Sequence, residues 1–242
     1  MFKTFSTLKN IVLSAAAGAA LLAGSQGAAA EQTLRVATEP TFPPFEFVKT
    51  ETNQLTGFEV DLVNEIAKEL GAKIEWQVMG FDAIIPAIRS KTVQMGAAGF
   101  SVKSGLSITT MKENAGKIKS MKDLEGKKIG VQLGTTSQAA AMKVKGAKVV
   151  KFNSAGEALL DMSIGGSYAV INDRPVTSYI LTQQPKLAEK MVQLPETYTA
   201  DDFAFVFDKS STDLQGKVNA ALKKIKDDGR YGKISEKWFG KN

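Results

Sequence analysis

Gly57-Phe58-Glu59-Val60-Asp61-Leu62-Val63-Asn64-Glu65-Ile66-Ala67-Lys68-Glu69-Leu70-Gly71 reads as one amphipathic helix. Leu62, Val63, Ile66, Ala67 and Leu70 recur at the spacing that puts them on one face, and Gly71 is placed to end the helix. Ten residues upstream, Thr41-Phe42-Pro43-Pro44-Phe45-Glu46-Phe47 is an aromatic loop stiffened by two prolines. Each locks its own φ and pushes its predecessor out of the helical region. Leu34-Arg35-Val36-Ala37-Thr38 before the loop and Lys73-Ile74-Glu75-Trp76-Gln77-Val78 after the helix alternate as strands. Asp82 is placed to cap a helix holding Ile84, Ile85, Ala87 and Ile88, with Pro86 near its first turn, and Val93-Gln94-Met95-Gly96-Ala97 is the next strand. This β-α-β-α-β order predicts a sheet with helices on its faces.

A second α/β unit begins near Ser107. Ser120-Met121-Lys122-Asp123 reads as a capped short helix, and Lys128-Ile129-Gly130-Val131 as a strand feeding a helix through Gly134-Thr135-Thr136-Ser137. A strand from Ala147 to Phe152, the capping box Ser154-Ala155-Gly156-Glu157 with its helix, and the strand Tyr168-Ala169-Val170-Ile171 follow. Phe203-Ala204-Phe205-Val206-Phe207 alternates as a strand. Two helices close the chain, one striped by Leu214, Val218, Leu222 and Ile225, the other anchored by Tyr231, Ile234, Trp238 and Phe239.

Residues 1–30 read as an address. Lys3 and Lys9 supply a positive start, residues 11–22 are a small-residue apolar stretch, and Ala28-Ala29-Ala30 offers an A-x-A cleavage pattern before Glu31. A membrane anchor is the alternative, but the apolar stretch falls short of the ~20 residues of a spanning helix. Removing Lys3 and Lys9 lowers the formal charge of +6 to +4 on the 212 residues that remain. The lysines are scattered, as in Lys223-Lys224-Ile225-Lys226-Asp227-Asp228, which describes a solvated helix face and not a nucleic-acid patch. The chain has neither cysteine nor histidine. An exported chain without disulfides must rely on its core, and the commonest general base and metal ligand are both missing.

The proline-aromatic loop and the Gly57-Phe58-Glu59-Val60-Asp61 helix, in this order just after a secretion signal, resemble the opening of the bacterial solute-binding proteins of family 3, the amino-acid receptors of ABC importers. The resemblance runs from Leu34 to Gly240 and implies an α/β, two-lobed periplasmic binding protein-like fold of type II, with the second lobe inserted in the first. Residues 31–103 and 206–242 then form lobe 1, and 104–205 lobe 2, with the crossings at its ends. The implied function is the periplasmic binding component of an ABC transporter for a polar amino acid, glutamine or a basic one. It implies no enzyme activity and no cofactor. Its partners are a free amino acid and a membrane permease, and it acts as a monomer without lipid anchor.

A free amino acid needs a complement for its carboxylate and one for its ammonium. Thr135 and Thr136, at a strand-to-helix junction, read by themselves as a helix cap; their wording matches the family's second-lobe carboxylate site. Asp173, in Val170-Ile171-Asn172-Asp173-Arg174-Pro175, reads as a cap or a partner of Arg174; in the resemblance it receives the ammonium through a charge-assisted bond. Phe42 and Phe81 match the aromatics that sandwich the ligand side chain, though either alone reads as core. Ala98, Gly99 and Ser101 match a segment that reaches the ligand, and Glu39 an acid at the ligand's distal end, favouring an amide or a cation.

The resemblance breaks at one place. Val102 runs directly into Lys103-Ser104-Gly105-Leu106-Ser107-Ile108, where the family inserts a threonine-x-x-arginine motif and an aspartate-phenylalanine-serine strand, about fifteen residues in all. The arginine that grips the ligand carboxylate and most of the first interlobe crossing are therefore expected to be absent. Lys103 is the one substitute cation nearby, without a bidentate fork. Two rival readings follow: a degenerate, non-binding paralogue or sensor, and a periplasmic cyclohexadienyl dehydratase-like enzyme on the same scaffold.

Overall fold

The alternating stretch around Val36 forms β1 (Gln32–Thr38) in the computed structural model, which describes residues 32–103, 105–195 and 202–240. The leader expected at residues 1–30 lies outside the described residues. The proline-aromatic loop holds β2 (Thr41–Phe42) and leads into β3 (Glu46–Lys49) and β4 (Gln54–Thr56), an antiparallel meander that the sequence reading did not anticipate. α1 (Phe58–Leu70) follows as expected, ended by Gly71 at φ 60°. Then come β5 (Ala72–Val78), α2 (Phe81–Arg89) and β6 (Met95–Gly96). The first sheet is parallel, in the order β5-β1-β6, with Val36 beside both Trp76 and Met95.

The two stretches that define the N-terminal reading meet at the start of α1. The Phe58 amide donates to the Pro44 carbonyl and the Glu59 amide to the Phe45 carbonyl, both at 2.9 Å. Two of the helix's four orphan amides are thus satisfied by the loop backbone and not by a side-chain cap. The approach is so close that a Cβ on Gly57 would lie 2.0 Å from the Phe45 oxygen, and Gly57 has φ 140°. Phe45 is in turn packed on Phe58, Phe203 and Phe239.

β7 (Ser101–Lys103) leaves the first sheet and β8 (Leu106–Met111) enters the second. The second unit continues through β9 (Lys128–Gln132), α3 (Thr136–Ala141), β10 (Lys148–Phe152), α4 (Ala155–Ser163), β11 (Ala169–Asp173), α5 (Arg174–Gln183), α6 (Pro185–Lys190) and β12 (Met191–Gln193). Its strand order is β10-β9-β11-β8-β12, parallel among β10, β9 and β11 and antiparallel at β8 and β12. β13 (Asp202–Phe203) returns antiparallel to β7, and α7 (Thr212–Asp227) and α8 (Arg230–Phe239) pack on α1. Arg230 joins Glu65 and Glu69, Lys224 joins Glu69, and Lys237 with the Trp238 indole reaches Asp61. The C-terminal helices therefore belong with the first sheet, and the second sheet is inserted between.

Four expectations need correction. The 203–207 stretch is a strand only at β13, plus a single bridge between Val206 and Gly96, because β7 and β6 offer so short a partner. The strand expected at 93–97 shrinks to Met95 and Gly96, since only those residues pair with β1. Asp82 does not cap α2: Gly80 holds the N-cap in extended geometry, and Asp82 sits in the first turn. Pro86 is interior to α2, tolerated on the exposed side, where the helix carbonyl it leaves unpaired can turn to water. The second unit does have a core around Ile108, Leu124, Ile129 and Ile171. On its other face, Leu159, Met162 and Val176 belong to one continuous cluster with Leu34, Val63 and Ile66 of the first unit.

A side chain at Gly57 would have to displace the Phe45 carbonyl and adopt a backbone region almost closed to L-residues. Gly57→Ala is expected to cost about 3 kcal/mol, which at roughly 2–4 °C per kcal/mol lowers the melting temperature by about 6–12 °C. Circular dichroism melts check this; an unchanged melting temperature would show that the loop-to-helix junction relaxes freely.

Candidate functional site

The carboxyl ends of β1, β6, β9 and β11 converge on one cavity of about 320 Å³. This is where an α/β sheet offers unpaired amides and loops, and the volume suits a small ligand. Glu39, Phe42, Phe81, Ala98, Gly99, Thr135, Thr136 and Asp173 all line it, so the structure brings together eight of the nine residues singled out from the sequence. The ninth, Ser101, contributes backbone to β7; its side chain and that of Lys103 lie outside the described residues.

Each lining residue has a local reason for its place. Glu39 follows β1 and is buried; its Oε1 accepts from the Thr41 hydroxyl at 2.6 Å and its Oε2 from Gln132 Nε2 at 3.1 Å. Burial pushes its pKa above the usual carboxylate value, and these two hydrogen bonds pull against that rise. Gln132 also donates to the Asn153 carbonyl at 2.9 Å, so one amide ties the end of β9 to Glu39 of the first unit. Phe81 opens α2 and stacks on Phe100 at 4.7 Å. Phe42 lies against Gly99, where a Cβ would come within 2.4 Å of its ring. Gly99 is at φ 59°, a conformation that favours glycine, and its amide donates to Glu59 Oε2 at 3.2 Å.

Thr135 is the N-cap of α3: its hydroxyl accepts from the Gln138 amide and donates to the Gln132 carbonyl. That hydroxyl is committed to the helix start, which bears out the cap reading for this residue. Asp173 ends β11, is buried, and does not cap α5 with its side chain. Arg174 points its guanidinium at the Leu194 carbonyl.

Five further residues line the cavity that were not singled out as ligand contacts: Asp82, Ile85, Phe100, Gln132 and Gly134. Gly134 stood inside a quoted stretch and Gln132 two residues before it, but nothing in their spacing marked them. Only the folded chain shows Gln132 reaching Glu39, 93 positions away, and Gly134 lying against Asp82. The lining contains three carboxylic acids, Glu39, Asp82 and Asp173, and no lysine or arginine among the described residues. Its balance is acidic and aromatic.

Such a cavity, set at the strand ends of two sheets joined by paired crossings, defines a two-lobed binding protein of the type II periplasmic fold. The chain belongs to the bacterial extracellular solute-binding proteins, family 3, whose model matches residues 34–241. It is 36% identical to the putative ABC transporter arginine-binding protein 2 of Escherichia coli K12, over 92% of this chain and 98% of that protein. An ancestral arginine-binding protein solved with arginine superposes with a TM-score of 0.81 at 38% identity, covering 87% of this chain and 99% of that one. An ancestral amino acid-binding protein, a precursor of cyclohexadienyl dehydratase, superposes with a TM-score of 0.76 at 35% identity, covering 86% and 95%. The alignment with the Escherichia coli protein spans 238 residues but takes in 92% of this chain's 242, about 223, so that relative carries about fifteen residues more within it.

Behind the cavity, Glu46 and Glu59 are buried beside each other's fields. Burial pushes Glu59 from the ordinary 4.5 to about 7, opposed by the Gly99 amide; burial and the Glu59 and Glu39 charges push Glu46 well up. A raised carboxyl pKa means the folded state holds a proton that the unfolded chain has released, so the contribution of Glu59 is greatest below pH 4.5 and is lost as pH rises from there through 7, and Glu46 acts in the same direction. For Glu59 the fall approaches an upper bound of about 3 kcal/mol. Urea unfolding at pH 5 and pH 8 should show it, and Glu59→Gln should flatten the profile; an unchanged slope would mean that Glu59 ionises normally.

Proposed function

We propose that this chain is the periplasmic substrate-binding component of an ABC importer for a basic amino acid, arginine foremost, delivered to a membrane permease by a monomer that closes its lobes over the ligand. The observation that carries this is the charge of the cavity: three acids and no base among the described residues. A neutral amino acid brings one positive and one negative charge, whereas arginine or lysine brings a second positive charge, which such a lining favours. The names of the relatives, arginine-binding in two of the three proteins above, support the same choice. Glutamine, which has no second positive charge, would leave one more of the three acids uncompensated than arginine does.

Each group has a role in this reading. Asp173 accepts from the ligand ammonium, and Glu39, oriented by Thr41 and Gln132, accepts from the cationic end of the side chain with Asp82 nearby. Charge-assisted bonds of this kind are about twice as strong as neutral ones. Phe42 and Phe81 flank the aliphatic stem and the guanidinium, which aromatic faces attract. Ala98, Gly99 and Ser101 bring backbone close, and the Thr136 hydroxyl with the Thr135 and Thr136 amides meets the carboxylate. An exported chain cut before Glu31 fits this setting, and no described helix is long and apolar enough to cross a membrane.

A thermal-shift screen of the chain from Glu31 onward against the proteinogenic amino acids tests the proposal. Arginine at a hundred times its dissociation constant stabilises by ~2.7 kcal/mol, and lysine or histidine by less. Asp173→Asn should weaken every amino acid tenfold to a thousandfold, and Glu39→Gln should weaken arginine at least tenfold while sparing neutral ligands. Equal loss for all ligands in Glu39→Gln would remove Glu39 from the side-chain subsite. Shifts for no amino acid would favour the non-binding paralogue.

The likeness to a dehydratase precursor sustains one rival, an enzyme acting on a prephenate-like acid. A dianionic substrate would face three carboxylates, so turnover of such a compound by pure protein would overturn the binding-protein reading. Inserting the Escherichia coli relative's additional residues after Val102 should tighten arginine binding, because truncating one partner of a buried charge pair costs about 2–5 kcal/mol. Calorimetry on the two forms checks this; equal affinities would show that the threonine segment suffices.

A further inference from the structure

Between β6 and β7 the chain forms one wall of the cavity without belonging to a strand. Its two ends are pinned by backbone bonds. The Ala97 amide donates to the Ala37 carbonyl at 2.9 Å, and the Phe100 carbonyl accepts from the Ala204 amide at 2.8 Å. Between them, Ala98 and Gly99 make one hydrogen bond among the described residues, from the Gly99 amide to Glu59 Oε2 at 3.2 Å. Gly99 turns the wall at φ 59°, so this bond sits where the backbone changes direction.

Glu59 reaches the wall from the first turn of α1; it is 4% exposed and takes no part in the cavity lining. Its own amide is held by the Phe45 carbonyl at 2.9 Å, so the carboxyl starts from a fixed helix end. For packing alone an acid is a poor choice here. Burial disfavours its charge, and the neighbouring Glu46 is a second buried acid, whose two oxygens have no hydrogen-bond partner among the described residues. A leucine would fill a similar volume without that cost. The bond to Gly99 is what a carboxyl adds.

That bond fixes two groups at the cavity. The Gly99 N–H and the Ala98 carbonyl share one trans peptide plane and point opposite ways. With the N–H on Glu59, outside the lining, the Ala98 carbonyl is turned to the cavity side. Phe42 rests on Gly99 so closely that a Cβ there would meet its ring at 2.4 Å, and a shift of Gly99 therefore moves the ring.

We propose that Glu59 is a positioning residue for ligand binding: its carboxyl, reaching from α1 to the Gly99 amide, holds the wall that presents the Ala98 carbonyl and Phe42 to the amino acid. Glu59 acts through Gly99 and touches no ligand itself. The proposal rests on the amino-acid-binding reading above and not on which amino acid is taken. The role needs an acceptor at the right reach. Glutamine supplies one, and leucine supplies none.

Calorimetry with arginine on the chain from Glu31 onward, unmodified and as Glu59→Gln and Glu59→Leu, tests this. Glu59→Leu leaves the buried Gly99 amide unpaired and is expected to weaken arginine by about tenfold or more. Glu59→Gln should stay within about threefold of the unmodified chain, because it keeps the acceptor. Unchanged affinity in Glu59→Leu, or equal losses in the two variants, would overturn the proposal. A second measurement needs neither a ligand nor a folded variant: exchange of the Gly99 amide proton in the unmodified chain, followed by magnetic resonance with isotope-labelled glycine. Slow exchange that persists in Glu59→Gln is expected. Exchange as fast as that of an exposed amide would overturn the proposal whatever the protein binds. No heat with any proteinogenic amino acid would instead count against the amino-acid reading, while a protected Gly99 amide would still support Glu59 as the residue that holds the wall.

Discussion

A carbonyl-to-amide contact at the head of α1 holds the first unit together. The backbone oxygens of Pro44 and Phe45 take the amides of Phe58 and Glu59, and Gly57 lets them in because it has no side chain. This junction sets where α1 begins, and α1 in turn carries Arg230, Lys224 and Lys237 with the C-terminal helices through its acids. On the loop side it fixes Phe45 among its aromatic neighbours and leaves Phe42 against Gly99 at the cavity wall. Exposed ion pairs between the helices contribute at most about 1 kcal/mol each. The buried stripe of α1 and the satisfied helix end outweigh them.

The cavity draws its character from burial more than from ion pairing. Glu39 is held by two hydrogen bonds in a site that disfavours its charge. Gln132 matters here because it spans the two sheets: the same amide that steadies Glu39 ties the cleft walls together. Glu59 joins the wall to α1 by accepting from the Gly99 amide, so a proton on a buried carboxyl is coupled to the segment that approaches Phe42. The electrostatics of the site and the stability of its wall are parts of one arrangement.

The short crossing has consequences on both sides. With β7 of three residues and β13 of two, the returning segment has little to pair with, and the aromatic face that another strand would cover stays half-buried. The apolar cluster then runs without interruption from Val63 and Ile66 to Leu159 and Val176, so the two units share a core as well as a cleft. A two-lobed receptor needs its crossings to bend while the lobes stay in register. Here the register rests on a few backbone bonds near Gly96, Phe100 and Phe203.

Much of this was legible in the order of the residues. The 3.6-residue stripe of α1, the alternation of β1 and β5, and Gly71 report local physics, because a face either repeats at helical or strand spacing or does not. Glu39, Phe42, Phe81, Thr135, Thr136 and Asp173 were legible through motif wording at strand ends, and the structure gathers them at one cavity. Other features depended on distance in space. Pairing decided that of 203–207 only Phe203 would lie in a strand, with Val206 in a single bridge, since a strand needs a partner and alternation does not supply one. Gln132 and Gly134 gained their meaning only when β9 came to lie across from Glu39 and Asp82. The sequence by itself determined which segments could be helix or strand and which residue types could answer a zwitterion. The tertiary structure alone decided which carboxyls lose their water, because desolvation is set by every neighbour that folding brings near and leaves no trace in local spacing.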